Sequence, residues 1–189
     1  MLEGILFRTI LWIIIRGLFL IWNKKYKDIS PQRELLFNTF IFYCISVITV
    51  TLPIDFGGLP GGHHLGINII PFMDMVRDFQ HNTFFSLSFR LRLLFRNLIG
   101  NILLLLPLGL FLPILWSKFR DFRKTVFMGV VVSLAIELSQ LFLSYLSLGS
   151  RSTDIDDLIL NTLGIVIGYI IYDKILVRFN CFSQLTKDI

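Results

Sequence analysis

Three carboxylates and a carboxamide run straight into an apolar stretch in Arg151-Ser-Thr-Asp154-Ile-Asp156-Asp157-Leu-Ile-Leu-Asn161-Thr-Leu-Gly164-Ile-Val-Ile-Gly168-Tyr169. Paired carboxylates can act as general acid and base, or hold a hard divalent cation such as Mg²⁺ or Ca²⁺ through oxygen. An adjacent guanidinium, here Arg151, can counter their charge or hold a phosphate. Two further sets of polar residues accompany the run. Ser133, Glu137, Gln140 and Ser144 follow at steps of four, three and four, and Asn97 and Asn101 are one helical turn apart. Glu137, Asp154 and Asp157 are thus candidate cation ligands. A nucleophile is harder to find: Ser133, Ser144 and Ser152 have no histidine at the same depth, and Cys44 lies in another segment, so covalent catalysis is poorly supported.

The spacing implies helices. Asp154, Asp157, Asn161, Gly164 and Gly168 recur at steps of three and four and share one face, while Leu158, Ile159, Leu160 and Ile165 turn elsewhere. With 54% hydrophobic residues, a mean hydropathy of +0.73 and nineteen Phe, the chain is too apolar for a soluble domain around one core. It is an all-α, polytopic membrane bundle. Four apolar segments, near 35–52, 98–116, 125–146 and 155–177, have the length of bilayer crossings. A fifth, near 5–22, either spans or lies in the interface: a central Arg costs about 2.5–3.5 kcal/mol, and Arg8 and Arg16 could snorkel. Four to five transmembrane helices result, with a long outer loop between the second and third.

Basic clusters orient the path. Lys24, Lys25, Lys27 and Arg33 follow the first segment, Lys118, Arg120, Arg123 and Lys124 fill the third-to-fourth connection, and Lys174, Arg178 and Lys187 end the chain. All three belong on the cytoplasmic side, with the C-terminus. The net charge of +5 is therefore a matter of topology and headgroup contact, and no nucleic-acid partner is expected. The loop from Pro53 to Asn97 opens with turn formers and ends in Phe84–Arg96, an aromatic and arginine-rich stretch suited to a helix at headgroup level. His63 and His64 lack partners at ligand spacing, so a metal site there is improbable.

Along this path the polar groups of three helices fall in the outer half of the bilayer. Lipid-facing positions would be cheaper as Leu, and buried polar groups need partners. An outward-open pocket is expected among the last three helices, roofed by the long loop, with ligand-binding candidates Asn68, Asn101, Glu137, Gln140, Arg151, Asp154, Asp157 and Asn161. Plainer roles compete: Ser152 or Thr153 could cap the last helix, Asp156 could simply complement its dipole, and Gln140 could be interhelical glue worth about 0.6 kcal/mol. Gly164 and Gly168 read as a close-packing pair, and Pro71-Phe72 as a turn with an interfacial aromatic.

Asn68-Ile-Ile-Pro71-Phe72, Asn101-Ile-Leu-Leu-Leu-Leu-Pro107-Leu-Gly109, Glu137-Leu-Ser-Gln140 and the Arg151–Tyr169 run, in this order, resemble the VanZ-like family of bacterial membrane proteins over about residues 35–177. The resemblance implies a multi-pass plasma-membrane protein of a Gram-positive bacterium or relative. Founding members give low-level teicoplanin resistance, and no enzyme class is implied. The expected organisation is an N-terminal apolar segment and basic loop over 1–34, the VanZ-like domain over 35–177 and a short tail over 178–189. The expected function is non-enzymatic binding of a lipid-linked wall precursor or lipid headgroup. The alternatives are an integral-membrane enzyme on a phosphate-containing envelope lipid, and a scaffold for another envelope protein.

Overall fold

The computed structural model describes residues 6, 9–17, 31–52, 67–73, 76–77, 86–146, 148 and 153–177. Among the described residues there are five helices: α1 (9–17), α2 (Pro31–Thr51), α3 (Leu87–Leu115), α4 (Phe122–Tyr145) and α5 (Ile155–Ile171). A 3₁₀ turn, Ser117–Arg120, joins α3 to α4, and α5 runs into a π turn at Tyr172–Val177. Two short strands, β1 (Ile67–Asn68) and β2 (Thr153–Asp154), pair in parallel with Asn68 opposite Asp154. The all-α architecture is as expected, with this one two-residue ladder added. Four helical segments, Pro31–Thr51, Leu87–Leu115, Phe122–Tyr145 and Ile155–Lys174, are long and apolar enough to cross a membrane. The protein is a multi-pass membrane protein.

The chain forms two compact units, Met1–Pro53 with Phe182–Ile189, and Ile54–Cys181. In the first, α1 and α2 run antiparallel, because Trp12 meets Asn38 while Arg16 meets Glu34. The Trp12 indole N–H donates to Asn38 Oδ1 at 3.0 Å, and Arg16 Nε and Nη2 donate to the two Glu34 oxygens at 2.9 Å each. The Arg16 guanidinium also lies 5.1 Å from the centre of the Phe37 ring. Arg16 is therefore held by a helix neighbour instead of snorkelling alone, which lowers the cost of its charge in an apolar segment. Arg8 lies outside the described residues.

In the second unit α3 departs from expectation. The stretch through Arg96 is not a separate interfacial helix but the beginning of α3, which continues unbroken for 29 residues. Between Ser86 and Asn101 only Gly100 weakens the helix, so nothing stops it. At 1.5 Å per residue α3 is about 43 Å long, against about 30 Å of hydrocarbon. The helix is thus about 13 Å longer than a crossing needs, and its first turns carry Arg90, Arg92 and Arg96. Pro107 and Pro113 sit inside its buried half, where neighbouring helices cover the backbone they free.

Helix α4 is built inside out compared with a helix in water. Its buried residues are Thr125, Gly129, Ser133, Glu137, Gln140 and Ser144, whereas Phe127, Leu138 and Phe142 are exposed. Lipid is the solvent for the outer face, so apolar side chains go out and small or polar ones meet protein. Asp121 caps the helix by accepting from the Lys124 N–H at 3.0 Å. Helix α5 packs tightly on α3 through glycine. A methyl group on Gly164 or Gly168 would overlap the carbonyl oxygen of Ile102 or Leu106, and one on Gly109 that of Ile165. Ile165 in turn fills the space over Gly129 of α4. The close-packing role expected for Gly164 and Gly168 is what the helices use them for.

Candidate functional site

The polar groups converge where α4 ends and α5 begins. Asp154 has extended backbone, and its side chain caps α5 by accepting the Asp156 N–H at 2.9 Å. The cap is thus Asp154, not Ser152 or Thr153. Its Oδ1 also accepts from Asn68 Nδ2 at 3.1 Å, and its own N–H donates to Glu137 Oε2 at 3.2 Å. One residue consequently ties β1, α4 and α5 together. Asn68 completes its side by accepting the Ile70 N–H at 3.2 Å through Oδ1.

Asp156 does more than complement the helix dipole. It is only 3% exposed, and its Oδ1 accepts the Phe72 N–H at 2.7 Å. Phe72 has φ +62°, a left-handed conformation that costs a bulky residue about 1–3 kcal/mol and persists only where surroundings enforce it. The Asp156 carboxylate and the β1–β2 pairing supply that constraint. Pro71-Phe72 is indeed a turn, and the Phe72 side chain is exposed.

On the neighbouring rows of α5, Asp157 accepts from Asn101 Nδ2 of α3. One turn deeper, Asn161 Nδ2 donates to Ser133 Oγ of α4 at 3.1 Å in a fully buried contact. Gln140 and Ser144 are buried on the face of α4 that carries Glu137. Asn97 is exposed and stays out of the cluster. Of the eight ligand-binding candidates, Asn68, Asn101, Glu137, Asp154 and Asp157 meet at the start of α5. Asn161 and Gln140 line the interior beneath. Arg151 lies outside the described residues, as do His63 and His64.

Asp156, Phe72 and Ser133 are the participants that are not among the eight ligand-binding candidates. The signal for Asp156 was present: Asp156, Leu160 and Gly164 form a second row at steps of four, and all three are buried. A helix wedged between two others hides two adjacent rows, so one row understates its interior.

Each carboxylate accepts at least one N–H: Glu137 from Asp154, Asp154 from Asn68 and Asp156, Asp156 from Phe72, and Asp157 from Asn101. Such donors make buried carboxylates tolerable. Among the described residues no group of three His, Cys, Asp or Glu side chains could hold a metal ion. The triad Glu137, Asp154 and Asp157 is therefore not gathered as a cation site.

A family model described as VanZ/LLP1 matches residues 36–178. The chain belongs to the VanZ-like family. The match runs from α2 through the π turn and includes every residue of the cluster, whereas α1 precedes it. Neither the curated proteins nor the solved structures provide a match. In this VanZ-like protein the four sequence runs that carry the resemblance are the pieces joined at the cluster: β1 and its turn, α3 at Asn101, α4 at Glu137, and β2 with α5.

Proposed function

We propose that this VanZ-like protein binds the headgroup of an envelope component, a phospholipid or a lipid-linked wall precursor, at the start of α5, and that it does so without catalysing a reaction. The observation that carries this reading is the burial of two carboxylates, Glu137 at 4% exposed and Asp156 at 3% exposed, inside a membrane bundle. Hydrocarbon makes such residues expensive, and packing alone would be served by Leu. The exposed basic residues Lys118, Arg120, Arg123 and Lys124 flank the other end of α4, about 36 Å away for 24 residues at 1.5 Å each. They support a cytoplasmic position for that end and for the C-terminus in the plasma membrane, and an outward-facing cluster. The glycine face of α5 is occupied by α3 of the same chain, which removes one surface that a scaffold would use.

The test is teicoplanin susceptibility of a sensitive host expressing the protein. Expression should raise tolerance, and Glu137→Gln and Asp157→Asn should each remove the gain at normal membrane levels. Both amides keep an oxygen acceptor, so the fold is retained while the charge is lost. Unchanged tolerance in both variants rejects the site. A second reading, an enzyme acting on the same lipids, is favoured by the Asp156 carboxylate, whose one oxygen without a hydrogen bond is the acceptor that a general base requires. Purified protein incubated with radiolabelled envelope lipids, with and without Mg²⁺, distinguishes the two: time-dependent product would replace binding with catalysis.

A further inference from the structure

Two buried oxygens at the site have no hydrogen-bond partner, Asp156 Oδ2 and Asn161 Oδ1. Their residues are 3% and 1% exposed, so water does not reach them freely. Leaving such atoms unmet is costly, and most of all for a carboxylate. Both are acceptors. Whatever completes the site must bring donors, and the carboxylate calls for a positively charged one.

The surroundings select the same chemistry. An α-helix N-terminus ordinarily attracts an anion such as a phosphate. At α5 the Asp156 N–H is already given to Asp154, and the Asp154 N–H to Glu137. At Asp156 itself a phosphate would meet a carboxylate of its own sign, so the part of a headgroup that faces Oδ2 is not its phosphate. A divalent ion has no group of three ligands among the described residues.

We infer that the headgroup taken at this site is a protonated primary amine whose N–H groups bind Asp156 Oδ2. The inference rests on the binding reading above and names the chemistry of the ligand. Contact with a buried carboxylate oxygen takes place at hydrogen-bond distance, about 2.8 Å, which a trimethylammonium shell without N–H cannot reach. Asn161 is five residues further along α5, about 140° around the helix, and takes a separate donor such as a hydroxyl. The Phe72 turn lies against Asp156 through its N–H on Oδ1, and Ile69, Ile70, Phe72 and Met73 of that turn are exposed, so the carboxylate is close to a surface turn.

The experiment offers purified full-length protein equimolar phosphatidylethanolamine, phosphatidylcholine and phosphatidylglycerol with identical acyl chains in detergent, and counts retained lipid by mass spectrometry. Wild type should retain phosphatidylethanolamine at least tenfold over phosphatidylcholine, and Asp156→Asn should bring the ratio below about twofold. Asn keeps an oxygen for the Phe72 N–H. If the variant aggregates, the wild-type ratio alone decides. Free ethanolamine that displaces the lipid, where choline does not, shows that the amine suffices without its glyceride; displacement by neither assigns recognition to the amine on a lipid. Equal retention of the ethanolamine and choline lipids, or an unchanged ratio in Asp156→Asn, overturns the inference. A preference for phosphatidylglycerol also overturns it while leaving headgroup binding intact, and retention of no lipid at all overturns both.

Discussion

Asp156 on α5 accepts the main-chain N–H of Phe72 at 2.7 Å, across 84 positions of sequence, and holds an aromatic residue at φ +62°. The turn before α3 is fastened to the bundle by a carboxylate that is only 3% exposed.

Removing that fastening should loosen the turn before it unfolds the helices. In Asp156→Ala, hydrogen exchange at Ile70, Phe72, Met73 and Val76 should accelerate about tenfold or more, while amides in the middle of α4 keep their protection. Phe72→Gly should do the opposite. Glycine adopts φ +62° without strain, so the turn should gain roughly 1 kcal/mol and exchange more slowly. Equal exchange in all three proteins would show that the Phe72–Asp156 contact does not hold the turn.

Asp154 combines a helix cap with the loop tie through Asn68. Asp154→Ala should therefore cost more than Asn68→Ala. Loss of the cap alone is worth about 1 kcal/mol. Thermal unfolding in detergent should rank wild type first, then Asn68→Ala, then Asp154→Ala, and a reversed order would remove the capping role.

Close approach of α3 and α5 depends on Gly164 and Gly168. Gly164→Ala or Gly168→Ala should destabilise by about 1–3 kcal/mol, since the added methyl meets main-chain carbonyls that cannot swing away. Gly100→Ala is the control. Nothing lies within 4 Å of its added methyl, and a helical Gly→Ala change should stabilise by about 0.5–1 kcal/mol. Similar melting of all three variants would contradict the packing.

The Arg16–Glu34 pair should behave as a unit. Arg16→Met or Glu34→Met alone strands a charge and should cost about 1.5–3 kcal/mol. The double substitution should recover most of the loss, because neither charge remains to be satisfied. Additive losses in a double-mutant cycle would mean the two side chains are independent.

Asn161 and Ser133 form the deepest polar contact between α4 and α5. A double-mutant cycle with Asn161→Ala and Ser133→Ala should give a coupling of about 0.6 kcal/mol, the usual size for membrane interhelical bonds. Zero coupling would leave the pair as neighbours without a bond.

Much of this architecture was legible in the chain. Hydropathy placed α2, α4, α5 and the C-terminal end of α3 near their observed bounds, because a bilayer demands helices long enough to cross it whatever their neighbours. The steps of three and four in Ser133, Glu137, Gln140 and Ser144, and in Asn161, Gly164 and Gly168, marked the inward faces. Spacing could not say which acid does what. Capping and the tie to Asn68 fell to Asp154, and the hold on the Phe72 turn to Asp156, a division set by a turn arriving from far away in sequence. Nor did hydropathy show that the arginine-rich stretch continues into α3, because helix continuity depends on local breakers and not on polarity. The sequence by itself determined a membrane bundle with a polar interior, through the energetics of each side chain against lipid. Only the tertiary structure decided how the loop, α4 and α5 share their donors, because hydrogen bonds are directional and their partners lie tens of residues apart.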